Sequence, residues 1–234
     1  MTRLEHLNME SNQLSGPLSE SLFFGIDHLL SLNLNFNYLS GISLSSKIFS
    51  HLGELKFLGF SNNQLERIES QAFLGLKSLL ILNLNRNKIG FIQQSAFTYL
   101  INLEQLNLAE NRLGYIEKHF FSGLTRLKIL NLNRNQILNI EANAFSIFSN
   151  RLQLLFYENP LAKDSTQMSN LISFYSNLDI YYVDLAYEYE SEEEDFDEDG
   201  DDEDEDGDFE SRRLGKQSSN VFKYFLTMSL SFRN

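Results

Sequence analysis

The chain has 234 residues, 42% of them hydrophobic, no cysteine, and a formal net charge of −13. That is enough for one packed domain plus a tail, and the missing cysteines exclude disulfides and thiolate metal sites. The charge is segregated: residues 186–210 hold 17 acidic and no basic side chains, the first 185 residues hold 15 acidic against 14 basic, and residues 211–234 hold five basic and no acidic ones. No basic concentration points to nucleic acid, so none is expected as a partner.

From the first residues the chain runs straight into a repeat. No charged leader with a long apolar core precedes it, and no run reaches the roughly 18–20 apolar residues of a membrane span. Residues 4–14 read LEHLNMESNQL, and the phrase returns at 29–39 (LLSLNLNFNYL), 55–65 (LKFLGFSNNQL), 79–89 (LLILNLNRNKI), 103–113 (LEQLNLAENRL) and 127–137 (LKILNLNRNQI). A weaker seventh copy, RLQLLFYENPL, fills 151–161 with Arg151 in the first leucine slot. The spacings are 25, 26, 24, 24, 24 and 24 residues. A period of that size marks a stack of identical supersecondary units.

Between the phrases a second pattern recurs. One column holds Leu18, Leu44, Ile68, Ile92, Ile116 and Ile140. Five residues on stand Phe23, Phe49, Phe73, Phe97, Phe121 and Phe145, and three further on Ile26, Leu52, Leu76, Leu100, Leu124 and Phe148. Alternation in L-x-L places those leucines on one face of a short strand, and the Ile–Phe–Leu segment brings the chain back. No unit can bury its apolar face alone, so neighbours stack over a continuous core with an aromatic spine on the returning side. A further column holds Asn12, Asn37, Asn63, Asn87, Asn111, Asn135 and Asn159. An asparagine turned inward must satisfy its amide, and the available partners are backbone groups of neighbouring turns. These asparagines are therefore expected to serve the fold.

Phrase and period together resemble the leucine-rich repeat family, and the I-x-x-x-x-F-x-x-L return resembles its 24-residue "typical" subclass, common in extracellular animal proteins. The resemblance covers residues 4–161. It implies an α/β solenoid: a horseshoe with a parallel β-sheet on its concave face and loops or short helices on the convex side. It also implies a protein-binding module without enzyme activity or cofactor, in an extracellular or cell-surface role of recognition or adhesion. An intracellular, cytoplasmic scaffold is the alternative, favoured by the absence of cysteines, of a leader and of any N-x-Ser/Thr glycosylation sequence.

The ends depart from the family pattern. Asn159-Pro160-Leu161 resembles the start of its C-terminal cap, but Lys163 and Ser165 stand where cysteines are common. Residues 162–185 are expected to act as a cap without disulfides. No cap precedes Leu4, so the first repeat is expected to fray, or the chain to be a fragment. Residues 186–210 carry too much like charge to collapse and are expected to be disordered. A basic linker follows from 211, then a short apolar end at 221–232.

Partner specificity is expected at the outward positions of the phrase, the third, fifth, seventh and eighth. These supply the candidates Asn83, Asn85, Arg86, Asn107, Glu110, Asn131, Asn133, Arg134, Tyr157 and Glu158. The face reads equally well as a solvated sheet, with Arg86, Glu110, Arg134 and Glu158 forming cross-strand pairs. Phe36 and Tyr157 favour binding, because exposed aromatics anchor interfaces. In the tail, Asp195, Asp197, Asp199, Gly200, Asp201, Glu203 and Asp206 match calcium-loop spacing. Asp206 replaces the usual glutamate, Asp202 the usual apolar residue, and no helix brackets the loop, so this is a weak metal candidate. Diffuse, salt-sensitive binding of cations or basic partners is the expectation there. Tyr187 and Tyr189 alternate with Glu188 and Glu190, which resembles a sulfation context if the chain is secreted. His6, His28, His51 and His119 have no metal-like partner nearby in sequence, and no catalytic triad or carboxylate pair is visible.

Overall fold

A computed structural model describes residues 3–40, 47–149, 151–175 and 177–181. The acidic stretch, the calcium-loop candidates, Tyr187 and Tyr189, the apolar end and Leu44 lie outside the described residues.

The strands in chain order are β1 (His6–Asn8), β2 (Ser31–Asn33), β3 (Phe57–Gly59), β4 (Arg67–Ile68), β5 (Ile81–Asn83), β6 (Phe91–Ile92), β7 (Gln105–Asn107), β8 (Tyr115–Ile116), β9 (Ile129–Asn131), β10 (Asn139–Ile140) and β11 (Leu152–Leu155). A 3-10 turn (Pro160–Lys163), helix α1 (Ser165–Phe174) and β12 (Leu178–Tyr181) complete the described chain. Among the described residues, β1, β2, β3, β5, β7, β9, β11 and β12 form one eight-stranded sheet in that order. Every pairing in it is parallel, and each phrase aligns with the next, as in Leu58↔Leu82 and Leu106↔Leu130. The fold is a parallel-sheet solenoid.

The core follows the sequence columns. Leu32, Leu58, Leu82, Leu106 and Leu130 are fully buried, and so are Phe49, Phe73, Phe97, Phe121 and Phe145. Along the spine the rings stack at 6.1 Å (Phe23–Phe49), 6.4 Å (Phe49–Phe73), 5.7 Å (Phe73–Phe97) and 5.9 Å (Phe121–Phe145). Paired strands stand only about 4.8 Å apart. Each turn is therefore wider at its phenylalanine than at its strand, and the sheet lies on the inner side of the resulting bend. Gly75 and Gly123 let successive returns approach: at φ of 99° and 96°, a Cβ there would lie 2.5 Å from Phe49 O and 2.6 Å from Thr98 Cα.

The asparagine column forms a ladder. Asn111 Nδ2 donates to Leu84 O (3.0 Å), Leu108 O (3.0 Å) and Ala109 O (3.2 Å), and its Oδ1 accepts from Ile89 N (2.9 Å). Asn87 and Asn135 repeat all four bonds one turn away. The buried amide is thus satisfied entirely by backbone, as its desolvation cost demands. Asn12, in the first described turn, makes only the two local bonds, to Met9 O and Glu10 O. Nearby Leu4 is 43% exposed.

At the other end, β12 adds to β11 and α1 covers the spine. Tyr175 packs edge-on to Phe145, with centroids 5.5 Å apart, and its hydroxyl accepts from Phe145 N. Asp164 caps α1, Oδ1 accepting from Gln167 N at 2.9 Å, and these bonds hold its carboxyl below the usual range. Arg151 clamps β11 to β12 through two 2.6 Å bonds to Asp179.

Candidate functional site

Alternation along each three-residue strand turns its middle leucine into the core and its flanking residues outward. The outward third position carries Phe57, Ile81, Gln105 and Ile129 in β3, β5, β7 and β9. These are 4%, 7%, 5% and 8% exposed, so outward orientation does not mean free access.

The fifth-position asparagines have structural work. Oδ1 of Asn83, Asn107 and Asn131 accepts from the backbone N–H two residues on, at 3.4, 3.1 and 3.0 Å. This local turn bond satisfies the seventh residue as the chain leaves the strand. Two turns lack asparagine at the fifth position, having Gly59 and Leu155 instead. In both, the preceding turn's seventh asparagine supplies the missing acceptor: Asn35 Oδ1 takes Ser61 N at 2.6 Å, and Asn133 Oδ1 takes Tyr157 N at 2.9 Å. Of the sequence candidates, Asn107, Asn131 and Asn133 are accordingly buried, at 9%, 4% and 2% exposure. A uniformly open amide face does not form. Asn83 and Asn85 remain half-buried.

Asn85 is the exception. The next turn has its own Asn107, so Asn85 Oδ1 has no backbone N–H to serve and is buried without a hydrogen-bond partner. Gln105 Oε1 and Asn133 Nδ2 are in the same condition. Nothing in the phrase L-x-x-L-x-L-x-x-N marks Gln105. Only the comparison of neighbouring turns exposes such mismatches.

The eighth position builds the rim. Ser11, Phe36, Asn62, Arg86, Glu110, Arg134 and Glu158 all adopt left-handed backbone, with φ between 53° and 57°. Seven different settings share one geometry because the backbone imposes it. The eighth N–H donates to the seventh carbonyl of the next turn, as in Arg86 N to Ala109 O and Glu110 N to Asn133 O. The kink then turns the ladder asparagine inward. Of these residue types only asparagine takes this conformation readily; the others cost about 1–2 kcal/mol each.

The charged members of the rim are brought together in pairs. Arg86 Nε lies 3.0 Å from both carboxylate oxygens of Glu110. Arg134 grips Glu158 through Nε–Oε2 and Nη2–Oε1 bonds of 2.9 Å each. That grip raises the Arg134 pKa, and its guanidinium carbon stands 5.8 Å from the Tyr157 ring centre. Both pairs link adjacent turns, so this charge is largely neutralised within the rim. Phe36 projects from the same rim at 48% exposure.

Among the described residues no group of three or more His, Asp or Glu could hold a metal ion, and no helix is long and apolar enough to cross a membrane.

Profiles described as leucine rich repeat match residues 3–24, 41–89, 54–113, 80–137 and 101–156. Human Toll-like receptor 3 is 35% identical over 89 residues, which is 37% of this chain and 10% of the receptor. Among solved structures, TLR13 in its complex with ssRNA13 is similar at 30% identity and a TM-score of 0.51, over 56% of this chain and 18% of that one. The plant peptide hormone receptor RGFR1, in complex with RGF2, is similar at 27% identity and a TM-score of 0.53, over 67% and 24%. The ectodomain of GASSHO1/SCHENGEN3 from Arabidopsis thaliana shares the fold, with a TM-score of 0.54 at 22% identity, over 77% and 21%. The chain spans about a tenth of the curated relative and a fifth to a quarter of these structures.

Proposed function

The chain belongs to the leucine-rich repeat family, and we propose that it is a receptor-type, protein-binding module acting outside the cell or at its surface, through the inner face and rim of the sheet. One observation carries this reading. The core columns and the ladder repeat with little change, while the rim changes from turn to turn on a constant backbone: Phe36, Asn62, Arg86, Glu110, Arg134, Glu158. A rigid scaffold presenting different side chains at equivalent points suits recognition. The compartment is supported by its likeness to Toll-like receptor 3 and to a plant peptide hormone receptor.

The test presents the full chain to an array of purified secreted and cell-surface proteins. Arg86→Glu combined with Arg134→Glu places four acids on the rim, and capture by wild type should then be lost. Gln94→Arg, on the exposed returning side, should leave it intact. Loss with Gln94→Arg and retention with the rim variant would place the site elsewhere. Biotinylation of intact cells expressing the tagged chain checks the compartment.

A further inference from the structure

The two-residue strands on the flank of the solenoid pair as β4–β6 and β8–β10. β10 is the last of them, and a cleft of about 300 Å³ opens between it and α1. Asn139, Ile140 and Glu141 form one wall, and Leu171, Phe174 and Tyr175 the other. Its volume is at the small end of ligand sites.

The polar groups there ask for a donor. Ile116 O receives Glu141 N at 2.8 Å, whereas the equivalent carbonyl one turn on, Ile140 O, lies on the outer edge of the β8–β10 pair and receives no such bond from a following flank strand among the described residues. The neighbouring Ile140 N–H is already taken, at 2.8 Å, by Asn139 Oδ1. Glu141 is the single charged residue lining the cleft. Its Oε2 accepts from Lys118 N at 3.1 Å, but its Oε1 is 3.9 Å from Lys118 Nζ, the outer limit of an ion pair. Asn139, Gln167 and Asn170 add amides to the lining, the rest of which is apolar or aromatic, and Phe174 is 63% exposed.

A carboxylate, an edge carbonyl and two aromatic rings in a cleft of mixed apolar and amide lining are complementary to one kind of side chain. That side chain has an aliphatic stem and a cationic head with several donors. We propose that this cleft is a second binding site, separate from the sheet face, which receives an arginine side chain from an extended segment of a partner protein. Arginine suits it better than lysine because its planar head can bond Glu141 and Ile140 O together while lying against an aromatic ring. Leu138, adjoining at 67% exposure, offers apolar surface to the rest of that segment.

The experiment titrates the isotope-labelled full chain with N-acetyl-arginine methylamide and follows backbone amide shifts. N-acetyl-norleucine methylamide is the uncharged control. The expected result is saturable shifts of Ile140, Glu141, Leu171 and Phe174 with the arginine probe, at least tenfold weaker with norleucine. Glu141→Gln, which keeps an acceptor for Lys118 N, should weaken the arginine probe tenfold or more, and Phe174→Ala should weaken it severalfold without changing the unfolding midpoint. Equal binding of the two probes would overturn the cationic assignment. Shifts absent, or scattered over the surface, would overturn the site. Persistence of arginine binding in Glu141→Gln would remove the carboxylate from it. None of these outcomes touches the sheet face, whose test uses different residues.

Discussion

The ladder asparagines and the rim residues stand side by side in sequence but answer to different forces. Asn111 is held by four bonds to backbone of its own and the preceding turn. Asn111→Ala would strand several of those buried groups, each worth about 1–3 kcal/mol, so urea unfolding should show a loss of about 2–5 kcal/mol. Asn12→Ala removes two bonds from an exposed residue and should cost about 0.5 kcal/mol or less. Equal losses at the two positions would sink the ladder as the source of stability. At the rim, Phe36 holds a left-handed backbone that asparagine accepts with less strain. Phe36→Asn should raise stability by about 1 kcal/mol and, if the rim binds a partner, weaken capture. A gain in stability with no loss of capture would remove Phe36 from the interface. The sequence marks Phe36 as an aromatic off the core pattern, but its φ of 54° follows from the interturn bond between Phe36 N and Ser61 O.

Elements here are shaped by their neighbours. A strand of three or four residues is too short to be stable alone, and the eight of the sheet exist because each pairs with at least one neighbour. The same dependence governs the seventh-position asparagines. Asn133 is required because the next turn has Leu155 where asparagine would serve Tyr157 N, while Asn85 precedes a turn that serves itself through Asn107. Asn133→Ala should therefore cost about 1–3 kcal/mol through an orphaned N–H. Asn85→Ala, which removes an already unpartnered oxygen, should lie within about 0.5 kcal/mol of wild type or improve on it. Chemical denaturation of the two single variants decides it, and a reversed order would contradict the compensation. Both residues were equal candidates for partner contact on spacing alone. Their separation depends on which residue the following turn carries, which no single phrase contains. The added strand β12 escapes the pattern for a similar reason: residues 178–181 lie outside the repeat phrase, and pairing with β11 makes them a strand.

Across the whole molecule, turns are joined along their exposed edges by ion pairs, and some of these set the response to acid. Glu54 joins three turns, accepting from Arg3 at 2.9 Å and lying 3.2 Å from His28 Nδ1. The His28 contact first, then Arg3, holds its carboxyl below the usual value, and the Gln167 backbone bond does the same for Asp164. A lowered folded-state pKa means that the contribution is whole above the unfolded value of about 4 and is lost as pH falls through the folded value. Thermal midpoints should thus change little through these groups from about pH 7 to 5 and fall below about pH 4. Glu54→Gln should make that acid decline shallower, and an unchanged decline would exclude Glu54 from it. The sequence by itself determined the solenoid, its core columns and its inward asparagines, because these depend on periodicity, and periodicity is written in one dimension. Tertiary structure alone decided which outward residues are consumed by the fold, that the rim charges cancel in pairs, that its backbone is left-handed, and that a cleft opens beside the last flank strand. Each of those depends on what the adjacent turn places within about 3 Å, the range at which hydrogen bonds form.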